Sequence, residues 1–404
     1  MDNKKPSIPF VGLHAHSVAG SIFDAIGYPQ EHMDFAYKNG CDALALTDHG
    51  NMNGLPYQVL HAKKMHSEGK DFKPIYGVEA YFIPSLKEWH EEYDKAMEDK
   101  KRARAVAKAD QSGATIEDET ASKRTQDILR RRRHLVLLAQ NQKGLNNLFR
   151  LVSESYKAEN FYRYPRIDFK LLEKYNEGII AASACLGGVY AGSYWEASTY
   201  DEEGKHTGVN KEAALLTMRE TTRRMVEIFG DRWYAEIQWN NIKQQHELNQ
   251  LVIQVASELG VEIVTTADSH YPNPDAWKDR ELYTRLGWLG KGGMPQYMGS
   301  ELPVGVEEVG YELYPKNGDQ IWESYKRYCK ECGFEYDDKL VLRSITNTHK
   351  IAHERIEQFS PDNTVRLPDF VVPAGLTDTQ ALVKLSVDGL NELGLFDNEE
   401  YIHR

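Results

Sequence analysis

The chain alternates short apolar runs with segments in which apolar residues recur at helical spacing. Across its 404 residues, seven apolar runs open near Phe10, Ala43, Ile75, His134, Ile179, Trp233 and Val261. Strand patterns that alternate with helix patterns are typical of α/β proteins with a parallel sheet. We therefore predict an α/β fold with roughly seven strands. If the sheet closes into a barrel, the C-terminal ends of its strands share one rim.

Two of the intervening helices have clear boundary residues. Residues 28–39 carry apolar side chains with Pro29 near the start and Gly40 after the end, and residues 248–259 carry an apolar face that stops before Gly260. Proline suits the first helical turn, and glycine suits the position after the last one. We predict a helix over each segment.

Several apolar runs end in residue types that bind metal ions. The first run, residues 10–13, leads into His14 and His16, which lie two residues apart and so point to the same face of an extended segment. A His-x-His pair alone is a weak signal, because such pairs occur by chance. Metal-binding residue types also follow three later runs: His49, Cys185, Asp268 and His270. We predict that these side chains converge at the shared rim.

Two further candidates lie within a predicted strand or at its start. The expectation that C-terminal strand ends meet at one rim therefore does not place them at the rim as clearly as the others. Glu79 is a carboxylate inside the apolar run 74–82, and His134 opens the run 134–139. A buried carboxylate is costly unless it is paired or bound to a cation. A salt bridge to a lysine is the alternative for Glu79, and a lone cysteine such as Cys185 is usually an inert small hydrophobe.

The chain is acidic overall. Its 49 Lys and Arg residues against 61 Asp and Glu residues give a net charge of −12. This balance excludes a free-standing basic coat for nucleic acid, so DNA or RNA must be bound through a local basic patch, metals or another chain. The charge-dense segment 86–133 ends in four consecutive arginines, and we predict a helical or partly disordered surface insertion there. The arginines either contact phosphate or form a solvated face.

The sequence has no features of a membrane or secreted protein. No uncharged apolar stretch of about 18 residues occurs, and the first residues lack the apolar core of a secretory signal. The four cysteines are too few and too scattered for a disulfide framework. We therefore expect a cytoplasmic protein.

The sequence pattern changes after residue 272. Loops rich in proline and glycine follow, and then segments with helical spacing. We predict a metal-binding barrel over residues 1–272 and a mainly helical region over residues 273–404. In the second region His349 and His353 share a helix face but lack the glutamate of a zinc-protease motif, so we interpret them as surface or interface histidines.

The candidate residues favour metal chemistry. Histidine, carboxylate and cysteine side chains hold zinc or manganese, and three or four of them suffice for one ion. The candidates exceed that number, which predicts a cluster of ions. Two metals about 3.5 to 4 Å apart hydrolyse phosphate esters, and a carboxylate such as Glu79 or Asp268 can bridge two ions and activate the attacking water. No glycine-rich phosphate loop or Ser-His-Asp order competes with this interpretation.

The same residues carry a family resemblance. Six stretches resemble, in order, the motifs of the PHP (polymerase and histidinol phosphatase) domain: residues 14–16, 47–50, 77–79, 134–139, 183–188 and 268–271. More closely, they resemble the version at the N-terminus of the bacterial replicative DNA polymerase III alpha subunit, as do residues 163–168 and 229–238. Residues 367–375 are similar to the segment that links this domain to the polymerase body.

The resemblance implies a distorted (β/α)7 barrel, followed by a mainly helical region similar to the linker into the polymerase body. It also implies a site for two or three divalent ions: zinc, manganese or iron. Carried over residue by residue, the ligands are His14, His16, Glu79 and Asp268 for one ion, Glu79, His134 and Cys185 for a second, and Asp24, His49 and His270 for a third.

The resemblance further implies a metal-dependent phosphoesterase, namely a proofreading-type 3′ to 5′ exonuclease module of a replicative polymerase. Its partners would be single-stranded or primer-template DNA and the remaining polymerase or its accessory subunits, at the nucleoid. The nucleic-acid contacts that we predict are Arg130, Arg131, Arg132, Arg133, Arg163 and Arg166. Because the chain stops before the region where such polymerases carry catalytic aspartates, we expect no nucleotide polymerisation by this chain alone.

Two alternatives to the exonuclease stay open. The first is a non-catalytic scaffold or interaction module, in which metals only stabilise the fold. The second is a small-molecule phosphatase that acts on a substrate such as pyrophosphate or histidinol phosphate. The complete ligand set favours an enzyme, whereas the acidic charge leaves room for the scaffold.

Overall fold

A computed structural model describes residues 6–109, 120, 123, 125, 127–289, 312–362, 364 and 370–403. The chain forms two compact units, Met1–Pro361 and Asp362–Arg404. The first unit contains a curled sheet together with helices on both sides of residue 272. The division after residue 272 therefore stays a prediction.

The first unit has an α/β architecture, which confirms the predicted class. Its strands are β1 (Ala43–Leu46), β2 (Lys73–Phe82), β3 (Arg133–Ala139), β4 (Phe161–Tyr162), β5 (Tyr164–Ile167), β6 (Ile179–Ala182), β7 (Ser198–Tyr200), β8 (His206–Val209), β9 (Trp233–Gln238) and β10 (Glu262–Thr266). The main sheet has the order β10-β9-β6-β3-β2-β5-β4, with β1 also paired to β2, while β7 and β8 form a separate pair.

The segment 11–16 closes this sheet into a distorted barrel. Gly12 bridges Leu44 of β1, and Ala15 bridges Ser269 just after β10. The amide of His16 donates to the carbonyl of Ser269 at 2.7 Å. The segment, β1, β2, β3, β6, β9 and β10 thus form the seven-membered ring that the sequence predicts.

The opening segment is less regular than the predicted strand. Leu13 belongs to the apolar interior of the barrel, yet His14 and His16 also face inward while Ala15 packs outside, against residues of α1. A regular strand would send adjacent residues to opposite faces, so the chain changes face between Leu13 and His14. This change explains why the segment forms isolated bridges instead of a continuous ladder.

The sheet is not parallel throughout, which corrects the sequence prediction. The pairs β1–β2, β6–β9 and β9–β10 are parallel, but β3 is antiparallel to both β2 and β6. Because β3 runs in the opposite direction, its first residues lie at the rim where its neighbours end. His134, opposite Tyr81 in the register, therefore reaches the rim from the start of its strand.

The two-residue alternation of the strands divides the core into an inside and an outside. Inward positions such as Ile75, Val136 and Val264 fill the barrel, whereas outward positions such as Tyr76 and Leu135 pack with the surrounding helices. Nearer the rim, the same inward rows continue into Glu79, His134, Glu236 and Asp268. The barrel thus has an apolar floor beneath a polar rim.

Helices surround the barrel. They are α1 (Pro29–Lys38), α2 (Leu55–Ser67), α3 (Leu86–Ala109), α4 (Gln142–Ser155), α5 (Phe169–Tyr175), α6 (Val189–Glu196), α7 (Lys211–Phe229), α8 (Lys243–Leu259), α9 (Trp277–Leu289), α10 (Gly318–Cys332) and α11 (Asp338–Lys350), the last followed by a π-helical turn, Ile351–Arg355. Both helices predicted from boundary residues are confirmed as α1 and α8. Gly260 ends α8 with a φ of 68°, the left-handed conformation that favours glycine.

The insertion 86–133 is helical over Leu86–Ala109 and in its described residues from 120 to 130, before β3 begins at Arg133, and it has a small core of its own. Trp89 and Ala96 of α3 pack with Ile128 and Leu129, and the Trp89 indole donates to the carbonyl of Ile128 at 2.8 Å. The part of the prediction that falls on residues 110–119, 121, 122, 124 and 126 lies outside the described residues.

The described residues of the second unit include the helices α12 (Asp378–Glu392) and α13 (Glu399–Ile402). Thr377 and Gln380 cap the start of α12 reciprocally, because each side chain accepts from the other residue's amide. Of the helices in the described residues, none has the length and apolar character that a membrane crossing requires. The predicted residues 367–369 of the linker-like segment lie outside the described residues.

Candidate metal centre

The nine predicted ligands form one connected network at the rim. They come from the opening segment, the loop after it, and the rim ends of β1, β2, β3, β6 and β10. Their side chains are largely withdrawn from water, and His14, His16 and Glu79 are fully buried. Side chains as far apart in the sequence as His14 and His270, which are 256 positions apart, therefore lie in one site.

Glu79 occupies the centre of this network. Its Oε1 lies 3.1 Å from Nε2 of His14 and 3.1 Å from Nδ1 of His134, and its Oε2 lies 2.5 Å from Nδ1 of His49. The carboxylate reaches the centre because β2 continues for several residues beyond its pairing with β1. Its observed partners are histidines and not the lysine that a simple salt bridge would need. Burial opposes ionisation, but His134 and His49 hold the pKa of Glu79 well below its usual range.

Asp268 joins the two histidines of the opening segment. Its Oδ1 lies 3.3 Å from Nε2 of His14 and 3.2 Å from Nε2 of His16. The backbone at Asp268 has a φ of 50°, a left-handed conformation that is unusual for a residue with a side chain and turns the chain at the end of β10. Despite the opposing effect of burial, His14 and His270 hold the pKa of Asp268 below its usual range.

Asp24, His49 and His270 form the outer part of the network. One oxygen of Asp24, Oδ2, lies 2.8 Å from Nε2 of His49 and 3.5 Å from Nε2 of His270. Its other oxygen, Oδ1, accepts from the guanidinium of Arg280 at 2.7 Å, and the Asp24 carbonyl accepts from the same guanidinium at 2.8 Å. Arg280 thus turns one carboxylate oxygen of Asp24 toward the histidines.

Cys185 lies next to His134 at the end of β6. Its Sγ is 3.7 Å from Nδ1 of His134 and 4.0 Å from Oε1 of Glu79. The amide of Gly187 donates to the same sulfur at 3.4 Å. Burial and the charges of nearby carboxylates raise the pKa of the Cys185 thiol well above its usual value. A positive neighbour at this position would favour the thiolate.

The donor atoms at the rim fit divalent metal ions. Five of the predicted ligand atoms at the rim lie close to one another but make no hydrogen bond of regular geometry: His14 Nε2, His16 Nε2, His49 Nδ1, Glu79 Oε2 and Asp268 Oδ1. An unpartnered buried polar atom is costly, and it points to a missing partner. Ligands at about 2.0 to 2.2 Å from one ion lie roughly 3 to 3.5 Å from each other. The contacts of Glu79 with His14 and His134, and those of Asp268 with His14 and His16, have this spacing.

The ligand atoms can be grouped into more than one ion site. Three sets have their donor atoms within 4.8 Å of one another: His14, His16 and Glu79; His49, Glu79 and His134; and His16, His49 and His270. Glu79 belongs to two of these sets, as a bridging carboxylate would. These sets share residues with the three ligand groups that the resemblance implies. They differ in that His49 contacts Glu79 as well as Asp24.

Glu236 supports the site and was missed in the sequence. It is buried in β9, and its Oε1 lies 2.8 Å from Nδ1 of His14. A carboxylate on one ring nitrogen directs the other nitrogen toward a metal. Although burial lowers it, Asp268 and Glu236 raise the pKa of His14 well above its usual value. A carboxylate inside an apolar strand is the same signal that identified Glu79, so Glu236 could have been found.

Asp48 supports the site from below and was also overlooked. It accepts from the amide of Ser17 at 2.6 Å and from the hydroxyl of Ser21 at 2.9 Å, and Ser21 Oγ lies 3.2 Å from Nδ1 of His16. Burial raises the pKa of Asp48 to about 6. Asp48 thereby holds the loop that carries His16 and Asp24. The sequence pattern predicts only His49 as a site residue in this stretch.

One predicted nucleic-acid contact has a structural role. Arg166 is fully buried, and its guanidinium donates to the carbonyls of Leu129, Arg131, Tyr162 and Tyr164. With its donors committed to four backbone carbonyls, Arg166 ties the insertion to β5. The prediction that it contacts nucleic acid does not fit this burial and is corrected.

The other predicted arginines differ in their surroundings. Arg131 and Arg133 pair with Glu92 at 2.9 Å and Glu196 at 2.7 Å, while Arg130 and Arg163 are exposed. Arg132 contacts the ring of Tyr81, which lies beside His49 and His134.

Arg132 is held over aromatic rings beside the site. Its guanidinium carbon lies 3.8 Å from the ring centre of Tyr164 and 5.3 Å from that of Tyr81. The Tyr81 ring itself is 6.1 Å from the ring of His49 and 5.4 Å from that of His134. One aromatic layer therefore separates this cation from the metal ligands.

The fold and this site define a class of protein. The family model of the PHP domain matches residues 12–240, and the chain belongs to the PHP domain family. The matched range includes seven of the nine rim ligands, and Asp268 and His270 follow it.

Comparison with individual proteins gives a more specific likeness. The chain is similar to the DNA polymerase III subunit alpha of Aquifex aeolicus, with 32% identity over 384 residues, 95% of this chain and 28% of that protein. It is also similar to the same subunit of Campylobacter jejuni, with 30% identity over 325 residues, 78% of this chain and 22% of that protein. The chain thus spans less than a third of the length of these relatives.

Among solved structures, an amidohydrolase from Chromobacterium violaceum, with bound sulfate and no metal, matches 68% of this chain and 96% of its own at a TM-score of 0.31 and 15% identity.

Proposed function

We propose that this chain is a metal-dependent phosphoesterase and acts as a 3′ to 5′ exonuclease module of a replicative polymerase similar to DNA polymerase III alpha. The main support is the rim network, in which nine histidine, carboxylate and thiol side chains converge and five buried ligand atoms make no regular hydrogen bond. A purely structural ion would need only three or four ligands. The larger set supports a multinuclear site of the kind that cleaves phosphate esters.

The protein's own residues have distinct roles in this proposal. Divalent ions at the rim would supply Lewis-acid stabilisation of phosphate oxygens and a lowered pKa for an attacking water. Glu79 presents its two oxygens to different histidines, which suits a bridging carboxylate. Asp268 faces His14 and His16, and Glu236 holds His14 in the tautomer with its Nε2 free for a ligand.

Arg132 is the residue that we propose for binding the substrate backbone. It is the only one of the predicted arginines whose described contacts place it over the ring of Tyr81, beside His49 and His134. A guanidinium binds phosphate through paired hydrogen bonds, and the aromatic rings limit its motion. The exposed Arg130 and Arg163 would contact DNA farther from the cleaved bond.

The relatives support the wider setting of this proposal. We propose that single-stranded or primer-template DNA is the substrate, that the remaining polymerase or its accessory subunits are the partners, and that the chain acts at the replisome. In this proposal residues 1–272 form the catalytic barrel, and residues 273–404 lead toward the polymerase body.

Hydrolysis of DNA labelled at its 3′ end tests the proposal. With Mn²⁺ added, the wild-type chain should release the label from a single strand, and a double substitution of His14 and His16 by alanine should not. His61→Gln is the matched control, because His61 pairs with Asp34 on the surface, away from the rim. Cleavage of pyrophosphate or histidinol phosphate alone would favour the small-molecule phosphatase. Bound metal without hydrolysis of any of these substrates would favour the scaffold.

A further inference from the structure

A second histidine and carboxylate cluster lies at the other end of β1. Asp42 comes immediately before β1, whereas His49 of the rim follows the same strand. The two positions are seven residues apart in the sequence, which at about 3.3 Å per residue of extended chain is about 23 Å. His349 and His353 approach Asp42 from the end of α11 and the π-helical turn. The cluster is therefore separate from the rim site.

We propose that Asp42, His349 and His353 bind one divalent transition-metal ion of the zinc class. Nε2 of His353 lies 3.1 Å from Oδ1 of Asp42, and Nε2 of His349 lies 3.8 Å from Oδ2. The two imidazole rings are 4.3 Å apart, and one donor atom from each of the three residues falls within a common 4.8 Å. Two nitrogen donors and one carboxylate suit Zn²⁺, Ni²⁺ or Cu²⁺ better than Mg²⁺ or Ca²⁺.

The surrounding structure holds these residues in place without closing the site. The amide of Lys73 donates to the carbonyl of Asp42 at 2.8 Å, and its buried ammonium donates to the carbonyls of Ala352 at 2.7 Å and Ile356 at 2.5 Å. One lysine thus fixes both the strand that carries Asp42 and the turn that carries His353. The side chains of His349 and His353 are 37% and 32% exposed, which leaves an entry path and room for a water ligand.

The ion would link the barrel to the helical segment that follows it. Asp42 immediately precedes β1 of the barrel wall. In the sequence, His349 and His353 come shortly before Pro361, where the first unit ends. An ion held by both parts binds only the folded arrangement and therefore stabilises it. The histidines that the sequence presented as ordinary surface residues acquire a role because the fold brings Asp42 to them. An ordinary ion pair between the histidines and Asp42 is the competing explanation.

Zinc titration of the metal-stripped full chain separates these explanations. Calorimetry and elemental analysis should show one fewer bound Zn²⁺ per chain in the double variant His349→Gln, His353→Gln than in the wild type. The control His61→Gln changes a histidine of α2 that pairs with the carboxylate of Asp34, and this variant should retain the wild-type number. An unchanged number of bound zinc ions in the double variant would overturn the proposal.

Asp42→Asn provides a second variant in which both histidines remain. It should weaken the same binding step by at least the roughly 10-fold that loss of a supporting carboxylate costs. Glu79→Gln should leave this step intact, because Glu79 lies at the opposite rim. A step that disappears in Glu79→Gln and persists in Asp42→Asn would assign the binding to the rim and contradict the proposal.

Discussion

The barrel carries histidine and carboxylate clusters at both of its ends, and they differ chiefly in burial. At the rim, Glu79 and His14 are fully buried, and five ligand atoms in the described network make no regular hydrogen bond. At the opposite end, the side chains of Asp42 and the two histidines beside it are 32 to 44% exposed, so water can reach their polar atoms. Buried charge needs a counter-charge or an ion, whereas exposed charge does not. In our proposals, the same residue types therefore depend more strongly on metal at the buried end than at the exposed end.

The two clusters also differ in their supporting residues. At the rim, carboxylates and a guanidinium outside the ligand set orient the ligands: Glu236 contacts His14, and Arg280 contacts Asp24. At the other end, the support comes from Lys73 through backbone carbonyls. Such outer partners set ligand geometry and metal affinity. We expect mutations at the rim to have larger effects than mutations at Asp42 or its histidines.

The largest effect is expected from Glu79→Gln. The amide keeps the shape of the side chain but removes the charge that His14, His49 and His134 face. Hydrolysis of 3′-labelled single-stranded DNA should fall by at least about 100-fold, the upper end of the range for outer-shell partners. Glu262→Gln is the matched control, since Glu262 is exposed at the start of β10. Equal losses in both variants would contradict a special role for Glu79.

A smaller effect is expected from Glu236→Gln. The amide can still contact His14 but no longer provides a negative charge, so metal affinity at the rim should fall by about 10- to 100-fold. Titration of the metal-stripped variant with Mn²⁺ measures this loss. Excess Mn²⁺ should restore much of the hydrolysis. An affinity equal to the wild-type value would show that Glu236 only fills space in β9.

Arg132→Gln should weaken DNA binding while leaving metal binding unchanged. Each lost phosphate contact lowers the slope of log affinity against log salt by about 0.7 for a single strand. Fluorescence anisotropy at several salt concentrations measures the slope, and Arg130→Gln serves as a comparison at an exposed position. If Arg130→Gln lowers the slope and Arg132→Gln does not, then the stacked arginine is not the phosphate contact.

The smallest effect is expected at the exposed cluster. The double variant His349→Gln, His353→Gln should hydrolyse DNA at the wild-type rate, because neither residue contacts the rim network. With Zn²⁺ present, its Tm should lie about 1 to 2 °C below that of the wild type, the shift that roughly 1 kcal/mol causes in a unit the size of Met1–Pro361. Thermal unfolding with and without Zn²⁺ checks this difference. An equal rise in Tm on adding Zn²⁺ to both proteins would show that zinc bound at His349 and His353 does not stabilise the fold.

Much of the rim could be predicted because the end of an apolar run in the sequence marks the end of a strand. His14, His49, Cys185 and Asp268 each follow an apolar run, and the sheet brings those ends together. His134 could not be placed by the same rule, because the direction of β3 depends on its pairing partners and not on its own residues.

Other features depended on contacts between distant segments. Arg280 lies 256 positions from Asp24 in the sequence, and no local sequence pattern predicts their contact. Arg166 belongs to a basic stretch, yet its burial depends on the carbonyls that the insertion supplies. Asp42 and His353 are 311 positions apart. Glu236 is different, since its place inside an apolar strand was visible in the sequence.

The metal content of the whole chain is the most direct test of the rim as a multinuclear site. Protein purified without chelator and analysed for zinc, manganese and iron should contain two or three rim ions per chain, in addition to any zinc that depends on His349 and His353. Glu79→Gln should lose most of the rim ions. A near-zero metal content in the wild type, with no gain of hydrolysis on adding Mn²⁺, would contradict the account.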